Sequence, residues 1–184
     1  GHFGVLWKKR SVHEILEADN TAPELKGKLR YVMAVRGFAG KSLALPVDGH
    51  YLEYADLDRP YVLWNVFASP EFGLEPKCWT VPFLGCLSYH GYFEKQDATR
   101  YGGQLDERGM DVYVYGVSAY STLGWFEDPL LSTFIDRDRF ALAELIFHEL
   151  AHQVVYVDND TTFNESFAVA VARAGLKRFA DTED

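Results

Sequence analysis

The segment from Leu145 to Gln153 reads L-I-F-H-E-L-A-H-Q, so His148 and His152 stand four positions apart with Glu149 directly after the first. On a helix of about 3.6 residues per turn, both imidazoles leave from one face, one turn apart. Nitrogens so placed can reach a single zinc ion at about 2.0–2.1 Å. Glu149 then flanks the ion without binding it, where it can take a proton from a water that the metal activates. The neighbouring A-L-A-E-L-I-F and V-V-Y-V are apolar, and ionisable groups in such surroundings need a partner or an ion. The plainer alternative is a core helix whose histidines are satisfied by neighbouring groups, with no metal at all.

A catalytic zinc needs a third protein ligand and an open position. Glu165, in F-N-E-S-F-A, opens the next helix beyond the turn D-N-D-T-T, and a returning helix would carry it back towards His152. An apolar stripe of Phe167, Val171, Ala174 and the stem of Arg178 would set Glu165 near the packed side. A glutamate in a first helical turn is also favoured by the helix dipole alone, so the residues by themselves leave both readings open. Glu127 and Asp128, in W-F-E-D-P, are two further carboxylates, though Asp before Pro is ordinary turn chemistry.

H-E-L-A-H-Q followed by F-N-E-S-F-A resembles the gluzincin arrangement, in which the glutamate of an N-E-x-x-A segment completes H-E-x-x-H. Together with A-Y-S-T-L-G-W-F-E-D-P-L-L (Ala119 to Leu131), Y-V-L-W-N-V-F-A-S-P-E-F and L-E-P-K (Tyr61 to Lys77) and G-Y-F (Gly91 to Phe93), these segments resemble a bacterial zinc aminopeptidase family. The resemblance runs from about Leu29 to Phe179. It implies a zincin-like fold, one Zn2+ held by His148, His152 and Glu165, Glu149 as general base and acid, and a peptide as substrate. Tyr120, inside one of the matching segments, is the leading donor to the developing oxyanion, with Tyr113 and Tyr115 as rivals. Zincin folds border the cleft with an edge strand, and here Val117, Ser118 and Ala119 would line an extended peptide bound to such an edge; an ordinary internal strand is the other reading. Family members are usually longer after the third ligand and often carry a lipoprotein-type leader. That implies a cell-envelope setting and a chain that is either trimmed at both ends or a minimal version. A zinc-binding but inactive peptide-binding domain is the alternative function.

The elements that must position these residues follow from periodicity. Ser11 and Glu14 have capping-box spacing before a short helix. A second helix starts at Pro23, its apolar positions Leu25, Leu29, Val32, Met33 and Phe38 running towards Gly37–Gly40. Tyr61–Phe67, Trp79–Phe83 and Gly85–Tyr89 read as strands, Gln96–Arg108 as a helix, and Asp111–Thr122 as an alternating strand. Helices over Arg139–Tyr156 and Phe163–Phe179 close the chain. Helices, then mostly antiparallel strands, then helices give an α+β class in a single domain spanning residues 1–184.

Composition agrees. Of 184 residues, 48% are apolar and 15% aromatic, enough for a folded core. A net charge of -9 with only the short Lys8–Arg10 cluster, read as a solvated approach to the first helix, argues against nucleic acid. No apolar run approaches the roughly 18 residues of a membrane span. Cys78 and Cys86 could pair across a hairpin or lie as small buried thiols.

Overall fold

Short strands set between amphipathic helices fold the chain as α+β, with small antiparallel and mixed sheets. The computed structural model describes residues 9–81, 85–119, 127–158 and 160–182. Strand β1 (Lys9–Ser11) leads into α1 (Val12–Glu17) and α2 (Pro23–Ser42), followed by β2 (Glu53–Ala55), β3 (Leu63–Pro70), β4 (Trp79–Val81), β5 (Gly85–Leu87) and β6 (His90–Tyr92). Then come α3 (Lys95–Asp106), β7 (Met110–Val117), β8 (Leu130–Leu131), α4 (Arg139–Ala151) and α5 (Thr161–Ala180). Among the described residues, no helix is long and apolar enough to cross a membrane.

The larger core joins helices to the first sheet. Leu29, Val32, Val35 and Ala39 of α2 meet Ile146, Phe147 and Leu150 of α4 and Ala172 and Phe179 of α5. Phe38, Phe147 and Phe179 pack ring on ring, with centroids 5.1 to 6.1 Å apart. The sheet β1-β2-β8 closes this core through Tyr54, Ala55, Leu130 and Leu131, and its β2–β8 pair is parallel, the exception to an otherwise antiparallel pattern. A second core lies between α3 and the sheet β6-β3-β7, built on Val66, Ala68, Trp79, Ala98 and Leu105. A disulfide joins Cys78 to Cys86 across the β4–β5 hairpin, which settles the two cysteine readings.

Several expectations need correction. Ser11 makes no side-chain cap, because it is a strand residue paired with Glu53. Lys9 and Arg10 likewise belong to β1, where Lys9 pairs with Glu53 at 2.9 Å instead of extending into solvent. β3 runs three residues further than expected, its register with β7 held from Leu63↔Val117 to Pro70↔Met110. β7 stops at Val117 because the Ser118 carbonyl turns to accept from the Thr133 hydroxyl. The helix expected to reach Tyr156 ends at Ala151. Its continuation, V-V-Y-V, is β-branched and aromatic, and the backbone of Val157 bonds instead to Asn164. Pro82 and Phe83, in the expected strand Trp79–Phe83, lie outside the described residues.

Candidate metal centre

Three side chains converge where α4 meets α5. Asp138 caps α4, its carboxylate accepting from the amides of Phe140 at 3.0 Å and Ala141 at 3.4 Å, which fixes the helix start. At the other end His152 is the C-cap residue but keeps helical backbone angles, and its amide bonds to the His148 carbonyl at 3.3 Å. The one-turn spacing of the two histidines therefore survives the end of the helix.

Glu165 is delivered by α5. Asp160 caps that helix through the Phe163 amide at 2.9 Å. Asn164, buried, holds the preceding turn by accepting from the Val157 amide at 2.8 Å and donating to the Val157 carbonyl at 2.9 Å. The buried stripe of α5 is Asn164, Ala168, Ala172, Gly175 and Phe179. That is one position away from the expected Phe167, Val171, Ala174 and Arg178, of which Ala174 and Arg178 are exposed. Small residues in the stripe let the helices approach closely. A Cβ on Gly175 would stand 2.7 Å from Leu43 Cδ1 and 3.1 Å from Phe147 Cδ2.

The resulting geometry is tight. His148 Nε2 and His152 Nε2 lie 3.1 Å apart. Glu165 Oε2 is 3.3 Å from the first and Glu165 Oε1 is 3.5 Å from the second. These residues form a His-His-Glu group able to hold a metal ion. The imidazole of His148 holds the Glu165 carboxyl below its usual pKa, and the carboxylate in turn raises His148. Burial lowers His152. Both rings present Nε2 to the shared point, and the Nδ1 of His152, on its far side, is buried with no partner among the described residues. Burial lifts Glu149 to about 7, with Asp128 and Glu165 adding to the effect against the pull of His148.

A cleft of about 270 Å³ opens beside these groups. One wall is the sheet side, Leu63, Asn65, Val117 and Ala119; another is Leu87 and Tyr89; the helix turn supplies Tyr156, Thr161 and Asn164. The whole chain, residues 1–184, matches the family described as "Putative aminopeptidase". It belongs to that family. No curated protein and no solved structure matches the chain. The family description places the protein among the peptidases.

For an aminopeptidase-family chain, the remaining sequence candidates divide clearly. Val117 and Ala119 line the cleft, and β7 is an edge strand of its sheet among the described residues. Ser118 does not line it: its hydroxyl accepts from Arg137 at 2.7 Å. Tyr113, 65% exposed, and Tyr115, which accepts weakly from Asn65, are not among the cleft-lining residues. Tyr120 lies outside the described residues. Glu127 packs against Gly49, where any Cβ would collide with it. Asp128 is buried beside His50 and Gln153, its amide donating to His50 Nδ1 at 3.1 Å and its carboxylate accepting from Gln153 at 3.4 Å. Neither acid lines the cleft among the described residues.

The sequence reading missed Asn65, Tyr89, Tyr156 and Asn164. Asn65 had a signal, as a polar residue within the apolar run L-W-N-V-F-A. Tyr89 and Tyr156 had none, because tyrosines pack as often as they react.

Proposed function

We propose that the protein is a zinc-dependent peptidase of the gluzincin type with a zincin-like catalytic unit, its metal held by His148, His152 and Glu165. One observation carries this. The three donor separations, 3.1, 3.3 and 3.5 Å, fit the roughly 3.3 Å edge of a tetrahedron whose centre-to-corner bonds are about 2.0–2.1 Å, the zinc–nitrogen and zinc–oxygen range. A ligand set of two imidazoles and one carboxylate also leaves a corner free for chemistry.

When bound, zinc would polarise the scissile carbonyl and acidify a water molecule in the cleft. Glu149 takes the proton from that water as its oxygen bonds to the carbonyl carbon. It returns the proton to the leaving nitrogen as the carbon–nitrogen bond breaks. In the metal-free protein burial raises the Glu149 carboxyl to about 7, and the charge of a bound zinc would draw it down from there, towards the ionised form that accepts the proton. A tyrosine hydroxyl supplies the second oxyanion donor: Tyr89 or Tyr156, which line the cleft, or Tyr120, which is outside the described residues. Substitution of each by Phe separates the three, since only the donor's loss lowers kcat with metal content unchanged. Val117 and Ala119 border the bound peptide.

The test compares wild type with Glu149→Gln for zinc content and for cleavage of a mixed peptide library. Retained metal with lost cleavage is the expected result. Equal cleavage by both proteins removes Glu149 from the chemistry. Bound metal and bound peptide without cleavage by wild type would mark an inactive peptide-binding domain instead.

A further inference from the structure

Among the described residues, the cleft contains a buried polar side chain on the sheet side that the chemistry above does not use. Along β3, Trp64, Val66 and Ala68 pack towards α3, while Leu63 and Asn65 face the cleft, as strand alternation requires. Asn65 is only 6% exposed. Its Oδ1 has no hydrogen-bond partner among the described residues. Its Nδ2 reaches Tyr115 Oη at 3.5 Å, the outer limit of a hydrogen bond. A buried carboxamide left this way is costly, so a partner is expected to arrive. On β6, Gly91 pairs with Asn65, and a Cβ there would stand 3.3 Å from Oδ1. The glycine keeps that side of the carboxamide uncrowded.

An unpartnered carbonyl oxygen calls for a donor, and the acidic lining of the cleft favours a cationic one. Its described lining holds the carboxylates of Glu149 and Glu165 and no lysine or arginine. Those two carboxylates serve the metal and the proton transfer. Asn164 commits both ends of its amide to Val157. Glu127 lies against Gly49, Asp128 is bonded to His50 and Gln153, and neither is among the described lining of the cleft. We propose that Asn65 receives the free α-amino group of the peptide substrate, its side-chain carbonyl accepting from the ammonium. This rests on the peptidase reading and makes the enzyme one that measures from the amino end.

Binding to the zinc-loaded Glu149→Gln protein, followed by calorimetry, tests this without turnover. The probes are a tripeptide with a free amino terminus and its analogue lacking only the α-amino group. Asn65→Ala should weaken the amino-terminal tripeptide roughly tenfold and leave the desamino analogue within about twofold, the pattern of a charge-assisted hydrogen bond. Asn65→Asp keeps an acceptor oxygen and should restore the preference for the amine. Equal weakening of both probes by Asn65→Ala, or of neither, overturns the assignment while leaving the peptidase reading intact. Failure of both probes to bind the protein with Asn65 in place overturns the two readings together.

Discussion

His148 Nε2 and Glu165 Oε2 stand 3.3 Å apart although they come from different helices. Each perturbs the other in the direction of an ion pair: the histidine is raised and the glutamate lowered. A metal must displace the proton that this pair shares, since only neutral imidazole binds it. Zinc affinity should therefore fall as pH drops through the raised pKa of His148, with proton release on binding. Glu165→Ala should lower affinity by more than about tenfold, a loss that even outer-shell partners command. It should also move the onset of proton competition to lower pH, because His148 loses the carboxylate that raised it. Competition with a chromophoric chelator across pH measures both effects.

Gly175 sets how closely α5 approaches. A methyl there meets Leu43 and the Phe147 ring, both packed against the core. Gly175→Ala should cost about 1–3 kcal/mol, the usual range for overpacking. If relief comes by moving α5, Glu165 moves with it, and zinc affinity should fall together with stability. Urea unfolding and metal titration on the same variant check the pairing of the two losses.

Asn164 stands one residue before Glu165 in the chain. Its amide satisfies both backbone groups of Val157 inside the turn. Asn164→Ala leaves that amide and carbonyl unmet, at about 1–3 kcal/mol. A larger relative effect is expected on zinc affinity than on the helices themselves, since α5 keeps its Asp160 cap. Thermal unfolding with and without added zinc should show a smaller metal-induced stabilisation than wild type.

Much of this site was legible because its information is local. His148, Glu149 and His152 are fixed by a single helical turn, so sequence spacing carries their geometry. Glu165 required knowing how two helices pack, and the expected stripe through Phe167 and Val171 was off by one residue. The true stripe is made of Ala168, Ala172 and Gly175, small residues that hydrophobicity undervalues because close approach, rather than bulk, selects them. The short strands β1, β2, β6 and β8 went unseen, since segments of two or three residues show no period; β4 and β5, equally short, were legible only as parts of longer apolar and aromatic runs. Asn65 and Tyr89 come to the cleft only through tertiary pairing.

Glu149 offers a pH test free of activity. In the metal-free protein its pKa rises from 4.5 to about 7, burial being the main cause. Between those values the folded state binds the proton more tightly than the unfolded chain does. Its contribution to stability is thus full at the acidic side and is lost as pH rises through about 7. The ionised carboxylate then costs the fold on the order of 3 kcal/mol. Glu149→Gln keeps the shape and cannot ionise, so it should gain stability over wild type as pH rises from 5 to 8, values chosen to span the window at roughly 1.4 kcal/mol per pKa unit. Chemical unfolding of both chelated proteins across that range measures the difference. A gap that stays constant with pH would mean that Glu149 titrates as an ordinary surface carboxylate.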